Sequence, residues 1–190
     1  MRKRLLPAIL VAAALALGAC TGGDDTPDKV AGGAHTLPGP APAGLALKPP
    51  ATEAPTAPRF SATLTDGADI DVSTLWADRP VVLTFFSSWC TICADRQDAM
   101  SELARTYQDR VVFLGVAGED EADPLDEYLR THKVEYPVVL DDSMNVWRAY
   151  AVREPPAVII LSKDGRLLRG WPGGIDAAAL DTQLKEHVLG

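Results

Sequence analysis

The chain has 190 residues and a formal net charge of −8, with 18 lysines and arginines against 26 aspartates and glutamates. So acidic a protein is a poor partner for nucleic acid or for anionic lipid headgroups, and no nucleic-acid partner is expected. The composition is ordinary for a globular protein, except that proline and alanine are concentrated in the first third. The length suits one domain with some additional sequence.

Residues 1–19 have the features of an export signal. Residues 2–4 are basic, and the apolar run 5–17 is too short to span a bilayer comfortably. The run ends in Leu-Gly-Ala-Cys, which resembles the lipobox of bacterial lipoproteins. That resemblance implies that Cys20 is lipidated and that the protein is anchored at the extracytoplasmic face of the cell membrane. The alternative is a plain secretory signal followed by an unrelated cysteine.

The segment after Cys20 is dense in proline, glycine, alanine and threonine and has no periodicity up to residue 58. Such a sequence cannot bury enough apolar surface to offset its chain entropy. Residues 20–58 are therefore predicted to be the lipidated cysteine and a disordered tether. A folded domain is expected over residues 59–190.

Within 59–190, hydrophobic patterns predict strands and helices in alternation. Alternating residues around Asp66-Gly67 indicate a β-hairpin, and the apolar run 80–86 indicates a buried strand that a helix follows. The rest is predicted as strand 111–117, helix 124–132, strand 136–142, helix 143–150 capped by Ser143, two strands around a Lys-Asp-Gly turn, and helix 176–188 capped by Asp176. This order indicates the α/β class, with a sheet covered on both faces.

The motif Trp-Cys-Thr-Ile-Cys, residues 89–93, follows the first buried strand. A cysteine at a helix N-terminus is favoured as its thiolate, because unpaired N–H groups and the helix dipole meet there. Cys90 could attack a substrate disulfide, and Cys93, one turn later, could resolve the mixed disulfide. Trp89 is expected to shield one side, and no metal or cofactor is expected.

Other chemistries require residues that this pattern lacks. A structural zinc site needs four ligands, and neither His132 nor His187 has ligand spacing from the cysteine pair. A copper carrier of the Sco type would have three residues between its cysteines and a distal histidine. A peroxiredoxin would have proline and threonine upstream, where this chain has Leu83 and Ser87. Two inert thiols remain an alternative.

The residues from about Phe60 to Gly190 resemble the TlpA/ResA-like branch of the thioredoxin fold, which contains membrane-tethered thiol-disulfide oxidoreductases. The matching pieces are "VVLTFFSSWCTIC", "VVFLGVAGED", "YPVVLDD" and "YAVREPPAVIILSKDGRLLRGW". The resemblance implies a thioredoxin-like fold: a central mixed β-sheet flanked by helices, with an N-terminal β-hairpin and an inserted helix and strand. It also implies a Cys90–Cys93 redox disulfide.

The resemblance places a cis proline opposite the cysteines at Pro156. Residues expected to contact substrate are Trp89, Thr91, Ile92, Pro155 and Pro156. Ile92 stands where the family often has proline, a residue that favours the start of a helix. Pro155 stands where the family pairs substrate through backbone groups, and proline has no N–H to donate.

The proton chemistry also departs from that of thioredoxins proper. Thr84 occupies the strand position where they have a buried aspartate. Glu119 matches the position where ResA-like proteins have an acidic residue near the cysteines, so it is predicted to move a proton on or off Cys93. The alternative is that Glu119 belongs to an acidic, solvated loop.

These observations predict an enzyme that exchanges disulfides with exported proteins. The resemblance implies that it acts as a reductant, as in cytochrome c maturation, and receives electrons from a membrane thiol carrier. It is expected to be a monomer. A non-catalytic thioredoxin-like adaptor with a structural disulfide and a Sco-like copper carrier remain the alternatives.

Overall fold

A mixed β-sheet organises the part of the chain that the structure, a computed structural model, describes: residues 29–49 and 53–190. The strands are β1 (Ser61–Thr63), β2 (Asp69–Asp71), β3 (Val81–Phe86), β4 (Val112–Ala117), β5 (Val138–Leu140), β6 (Ala157–Leu161) and β7 (Leu167–Pro172). The helices are α1 (Val72–Leu75), α2 (Thr91–Tyr107), α3 (Ala122–Thr131), α4 (Asn145–Ala149) and α5 (Ala177–His187). None of the helices in these two ranges is both long and apolar enough to cross a membrane.

The five-stranded sheet has the order β5-β4-β3-β6-β7. Strands β3, β4 and β5 are parallel, whereas β6 is antiparallel to both β3 and β7. The antiparallel pair β1–β2 forms the predicted hairpin around Asp66-Gly67. The predicted mixed sheet flanked by helices is confirmed, and β3 lies at its centre.

Buried strands and two apolar clusters hold the layers together. Every residue of β3 and of β4 is buried, as expected of strands covered on both faces. One cluster packs α2 and α5 on one face of the sheet, and the other packs the hairpin, α1 and α4 on the opposite face. The first turn of α2 therefore packs against one face of the sheet.

Of the two predicted helix caps, the one of α5 is observed and the one of α4 is not. Asp176 caps α5 as predicted, with its carboxylate accepting the N–H of Ala179 at 2.9 Å. Ser143 does not cap α4, because the chain passes through a left-handed residue, Met144, just before that helix. The carboxylate of Asp141 instead accepts three N–H groups of the first turn.

Residues 29–49, the N-terminal strap, differ from the predicted disordered tether. The carbonyl of Gly32 accepts the N–H of Val138 at 2.8 Å, on the outer edge of β5. Near the other end of the strap, Lys48 Nζ donates to two carbonyls in the last turn of α5, at 2.7 and 2.8 Å. The strap thus pairs its polar groups with the domain instead of leaving them in water.

The physical reason is that the strap covers groups that the domain leaves unpaired. A sheet edge and a helix C-terminus both present backbone groups without partners. Ala31 and Leu47 of the strap also pack against the α2–α5 cluster. The predicted domain start at residue 59 stays a prediction, whereas the predicted lipidated Cys20 lies outside the described residues.

Candidate active site

The cysteine pair lies where the central strand meets its helix. Cys90 is the N-cap of α2, and its Sγ accepts the N–H of Cys93 at 3.1 Å. The two sulfurs form a disulfide, with their Cα atoms 5.2 Å apart. The helix N-terminus directs unpaired N–H groups at Cys90, so a thiolate there is stabilised when the disulfide opens.

The surroundings of the pair differ sharply in exposure. Cys90 is 6% and Cys93 4% exposed, whereas Trp89 is 58% and Ile92 53% exposed. Thr91 is exposed as well. The buried pair is therefore adjacent in sequence to three exposed side chains, those predicted to contact substrate, which form the rim of the site.

The chain just before Cys90 is bonded to the loop that follows β4. Ser87 Oγ donates to the carbonyl of Gly118 at 2.5 Å, and both residues are buried. Trp89 Nε1 donates to the carbonyl of Glu119 at 2.7 Å. Glu119 has a positive φ of 51° at this point of the loop. The backbone of Glu119 thus fixes the exposed tryptophan beside the disulfide.

A neighbouring carboxylate, that of Asp120, makes two short hydrogen bonds in this loop, and the sequence pattern did not predict them. Asp120 accepts both the backbone N–H and the hydroxyl of Ser88, at 2.5 and 2.6 Å. The side chain of Glu119 is exposed. Both acidic residues lie in a stretch whose composition predicts a solvated acidic loop. Only the fold shows that one of them is bonded and the other exposed.

On the opposite side, the predicted proline lies next to Cys93. The peptide bond between Pro155 and Pro156 is cis. Pro156, Cys93 and Thr84 line one cavity of about 30 Å³ between α2 and the sheet. The structure therefore brings Pro156 and the second cysteine together, as the resemblance implies.

A neutral polar layer lies behind Cys93. Gln97, one turn after Cys93, donates to Tyr136 at 2.8 Å and to Ser101 at 3.1 Å, and accepts from Tyr128 at 3.4 Å. Burial raises the pKa of Tyr128 and of Tyr136 above the ordinary value, so both hydroxyls stay protonated. Neither tyrosine can act as a base for Cys93 at neutral pH.

Metal ligands do not gather around the pair. Across residues 29–49 and 53–190, no group of three or more histidine, cysteine, aspartate or glutamate side chains has the arrangement to bind a metal ion. What the geometry supplies is a cysteine pair, joined as a disulfide, at a helix N-terminus.

Comparison with models of protein families shows the family of this chain. The AhpC/TSA family model matches residues 54–169, which is more than half of the chain. The chain belongs to the AhpC/TSA family. The match includes β3, both cysteines and Pro156.

Curated relatives place this AhpC/TSA family member among disulfide-exchanging enzymes. Thiol-disulfide oxidoreductase ResA of Bacillus thuringiensis subsp. konkukian (strain 97-27) is 25% identical over 131 residues, which are 68% of this chain and 75% of the relative. Soluble secreted antigen MPT53 of Mycobacterium bovis (strain ATCC BAA-935 / AF2122/97) is 28% identical over 122 residues, 64% of this chain and 69% of the relative.

Solved structures agree. The structure of MTB dsbF, in mixed oxidized and reduced forms, has a TM-score of 0.64 and 26% identity, and the match covers 69% of this chain and 98% of that one. The exposed lipoprotein thioredoxin Etrx1 of Streptococcus pneumoniae strain TIGR4 has a TM-score of 0.59 and 28% identity, covering 68% and 99%. The fold is thioredoxin-like, and this AhpC/TSA family member is a thiol-disulfide oxidoreductase.

Proposed function

We propose that the protein is a lipid-anchored, extracytoplasmic thiol-disulfide oxidoreductase that reduces disulfides in exported proteins. The observation that carries the proposal is the position of Cys90 Sγ at the N-cap of α2, where it accepts the N–H of Cys93. Stabilisation of a thiolate by a helix N-terminus activates the first cysteine of a dithiol for attack.

The positions of Cys90 and Cys93 define the order of the reaction. The thiolate of Cys90 attacks a substrate disulfide, one substrate sulfur leaves as a thiolate, and a mixed disulfide forms. Cys93 then loses its proton to water and attacks Cys90 Sγ, which releases the second substrate sulfur and leaves the Cys90–Cys93 disulfide. The substrate has gained two electrons, and a membrane thiol carrier would restore the dithiol.

The proposed location rests on the lipobox-like sequence at Cys20 and on two relatives. Etrx1 is described as an exposed lipoprotein and MPT53 as a secreted antigen. Apocytochrome c and other exported proteins with cysteines are the proposed substrates, because the sequence resembles ResA-like proteins. The buried pair and its exposed rim are consistent with a protein substrate that docks over Trp89.

The reactivity of Cys90 separates this proposal from its alternatives. In the reduced full chain with Cys20→Ser, we expect iodoacetamide to alkylate Cys90 much faster than Cys93 at pH 7. Equally slow alkylation of both thiols would favour an adaptor with a structural disulfide. Tight binding of Cu(I) by the reduced protein, with no disulfide exchange, would favour the copper carrier.

Glu119 and Asp120 give a matched pair of carboxylates for testing proton transfer. The scheme above uses water as the proton acceptor. If Glu119 takes that place beside Cys93, Glu119→Gln should lower the pH midpoint of Cys93 alkylation by about half to one unit, because an anion that disfavours the thiolate is removed. Asp120→Asn should weaken its bonds to Ser88 and slow exchange without that shift, because Asp120 acts through the backbone. An unchanged midpoint in Glu119→Gln would assign Glu119 to a solvated loop.

Pro155 should limit how tightly substrates dock. Pro155→Thr restores a backbone N–H, and one such hydrogen bond contributes about 0.5–1.5 kcal/mol. We therefore expect KM for a generic peptide disulfide to fall about two- to tenfold, and turnover at low substrate to rise. Glu154→Thr, at the exposed preceding position, is the control. Identical kinetics for Pro155→Thr and wild type would refute this role.

A further inference from the structure

Arg96 links the cysteine-bearing helix to the loop between β7 and α5. Its Nη1 donates to the carbonyl of Gly173 at 3.0 Å. The side chain is half-buried and lines the same 30 Å³ cavity as Cys93 and Pro156. One hydrogen bond therefore holds the guanidinium. Its other N–H groups have no hydrogen-bond partner among the described residues.

Gly174 brings this loop very close to both Arg96 and the proline. Its φ is +76°, and a Cβ at this position would lie 2.9 Å from Pro156 Cγ and 3.1 Å from Arg96 Nη1. Only glycine allows that approach without displacing a neighbour. The contact from α2 to Pro156 thus runs through Arg96 and Gly174.

Helix geometry directs Arg96 towards the second cysteine. Residues three apart lie on one helix face, and helical side chains point back towards the N-terminus. Arg96 therefore covers the turn that carries Cys93, which is 4% exposed. Arg96 and Cys93 thus border the same small cavity.

The other residues that line the cavity with Cys93 are neutral. Arg96 is the one residue lining the cavity whose side chain is charged at neutral pH. Behind the cavity, Tyr128 and Tyr136 stay protonated because burial raises the pKa of each. Two carboxylates, those of Asp98 and Asp120, act on Tyr128 behind the cavity, but neither lines the cavity. Asp98 contacts His132, Asp120 is bonded to Ser88, and Glu119 is exposed in the loop on the Trp89 side.

We propose that Arg96 is a positioning residue for the resolving step: its guanidinium, fixed by the carbonyl of Gly173, favours the thiolate of Cys93. The proposal rests on the dithiol exchange proposed above. Cys93 loses its proton to water, its thiolate bonds to Cys90 Sγ, and the bond from Cys90 to the substrate sulfur breaks. A nearby cation stabilises a thiolate, which the neutral Thr84 and Gln97 cannot do by charge.

The test isolates Cys93. In the full chain with Cys20→Ser and Cys90→Ser, Cys93 is the one thiol left, and its rate of alkylation by iodoacetamide is measured against pH. We expect Arg96→Met to raise the midpoint by about one pH unit, whereas Arg96→Lys stays close to the parent. Arg105→Met is the control, since it removes the same charge about 13 Å further along α2.

Three outcomes overturn the proposal: an unchanged midpoint in Arg96→Met, an equal shift in Arg96→Lys, or an equal shift in Arg105→Met. The first would mean that the guanidinium does not act on Cys93, the second that packing alone matters, and the third that net charge alone matters. Circular dichroism checks folding, and Arg96→Gln replaces Arg96→Met if the latter unfolds.

The measurement needs no substrate, so it separates this inference from the proposed function. If the midpoint shifts as expected but the intact dithiol reduces no disulfide, the proposed function fails while the role of Arg96 stands. In the intact dithiol, Arg96→Met should also slow resolution of the mixed disulfide about tenfold, because less Cys93 thiolate is present at neutral pH. Formation of the mixed disulfide should change less, since Cys90 is activated by the helix N-terminus.

Discussion

Cys90→Ser should abolish reduction of a peptide disulfide, with a loss of at least about 1,000-fold in rate. Serine has a similar shape but is not ionised at neutral pH, so the attacking thiolate is lost. The N–H of Cys93 donates to Cys90 Sγ in the wild type and can donate to the serine Oγ in the variant. The fold should therefore be retained. The measurement is the rate of disulfide reduction by the reduced full chain with Cys20→Ser.

Cys93→Ser gives the complementary result. Cys90 should still attack, but the mixed disulfide should persist because no second thiol resolves it. Mass spectrometry should find the substrate attached to Cys90 alone. Substantial turnover in Cys90→Ser, or trapping through Cys93 in place of Cys90, would reverse the assigned roles.

Asp141→Ala should destabilise the fold by about 2–4 kcal/mol. Asp141 is 5% exposed, and its carboxylate accepts the N–H groups of Asn145, Val146 and Trp147 at 2.9–3.0 Å. Alanine would leave these three buried or half-buried donors without their acceptor. Chemical denaturation of the variant and the parent measures the difference in free energy of unfolding.

The destabilisation caused by Asp141→Ala should also affect the active site, because α4 packs against the loop beside it. Trp147 of that helix packs where a Cβ on Gly118 would lie, and it donates to the carbonyl of Val116 at 3.2 Å. The loop beginning at Gly118 fixes Ser87 and Trp89, so loosening α4 should also slow exchange. Ser143→Ala is the control and should change stability by less than about 0.5 kcal/mol. Equal stability of Asp141→Ala and Ser143→Ala would contradict the observed cap.

The strands that support the site could be predicted because their signals are local. Strand β3 is a continuous apolar run buried on both faces, and the hairpin follows from Asp66-Gly67. The cap of α5 was predicted because Asp176 directly precedes its helix. The cap of α4 was missed because Asp141 reaches over a left-handed residue to groups four to six positions later.

Features that depend on distant partners could not be predicted. The N-terminal strap is ordered by the edge of β5 and the end of α5, and its own composition gives no sign of either. The roles of Asp120 and Arg96 could not be predicted for similar reasons. Each is one charged residue among several, and only the packing of α2 against two loops shows that one contacts Ser88 and the other Gly173.

The central claim is that Cys90 and Cys93 form a reducing dithiol, and their reduction potential tests it most directly. The full chain with Cys20→Ser would be equilibrated in thiol-disulfide buffers and its redox state read by thiol labelling. We expect a potential near that of thioredoxin, about −270 mV or lower. A potential near that of DsbA, about −120 mV, would make the protein an oxidant and contradict the proposed direction.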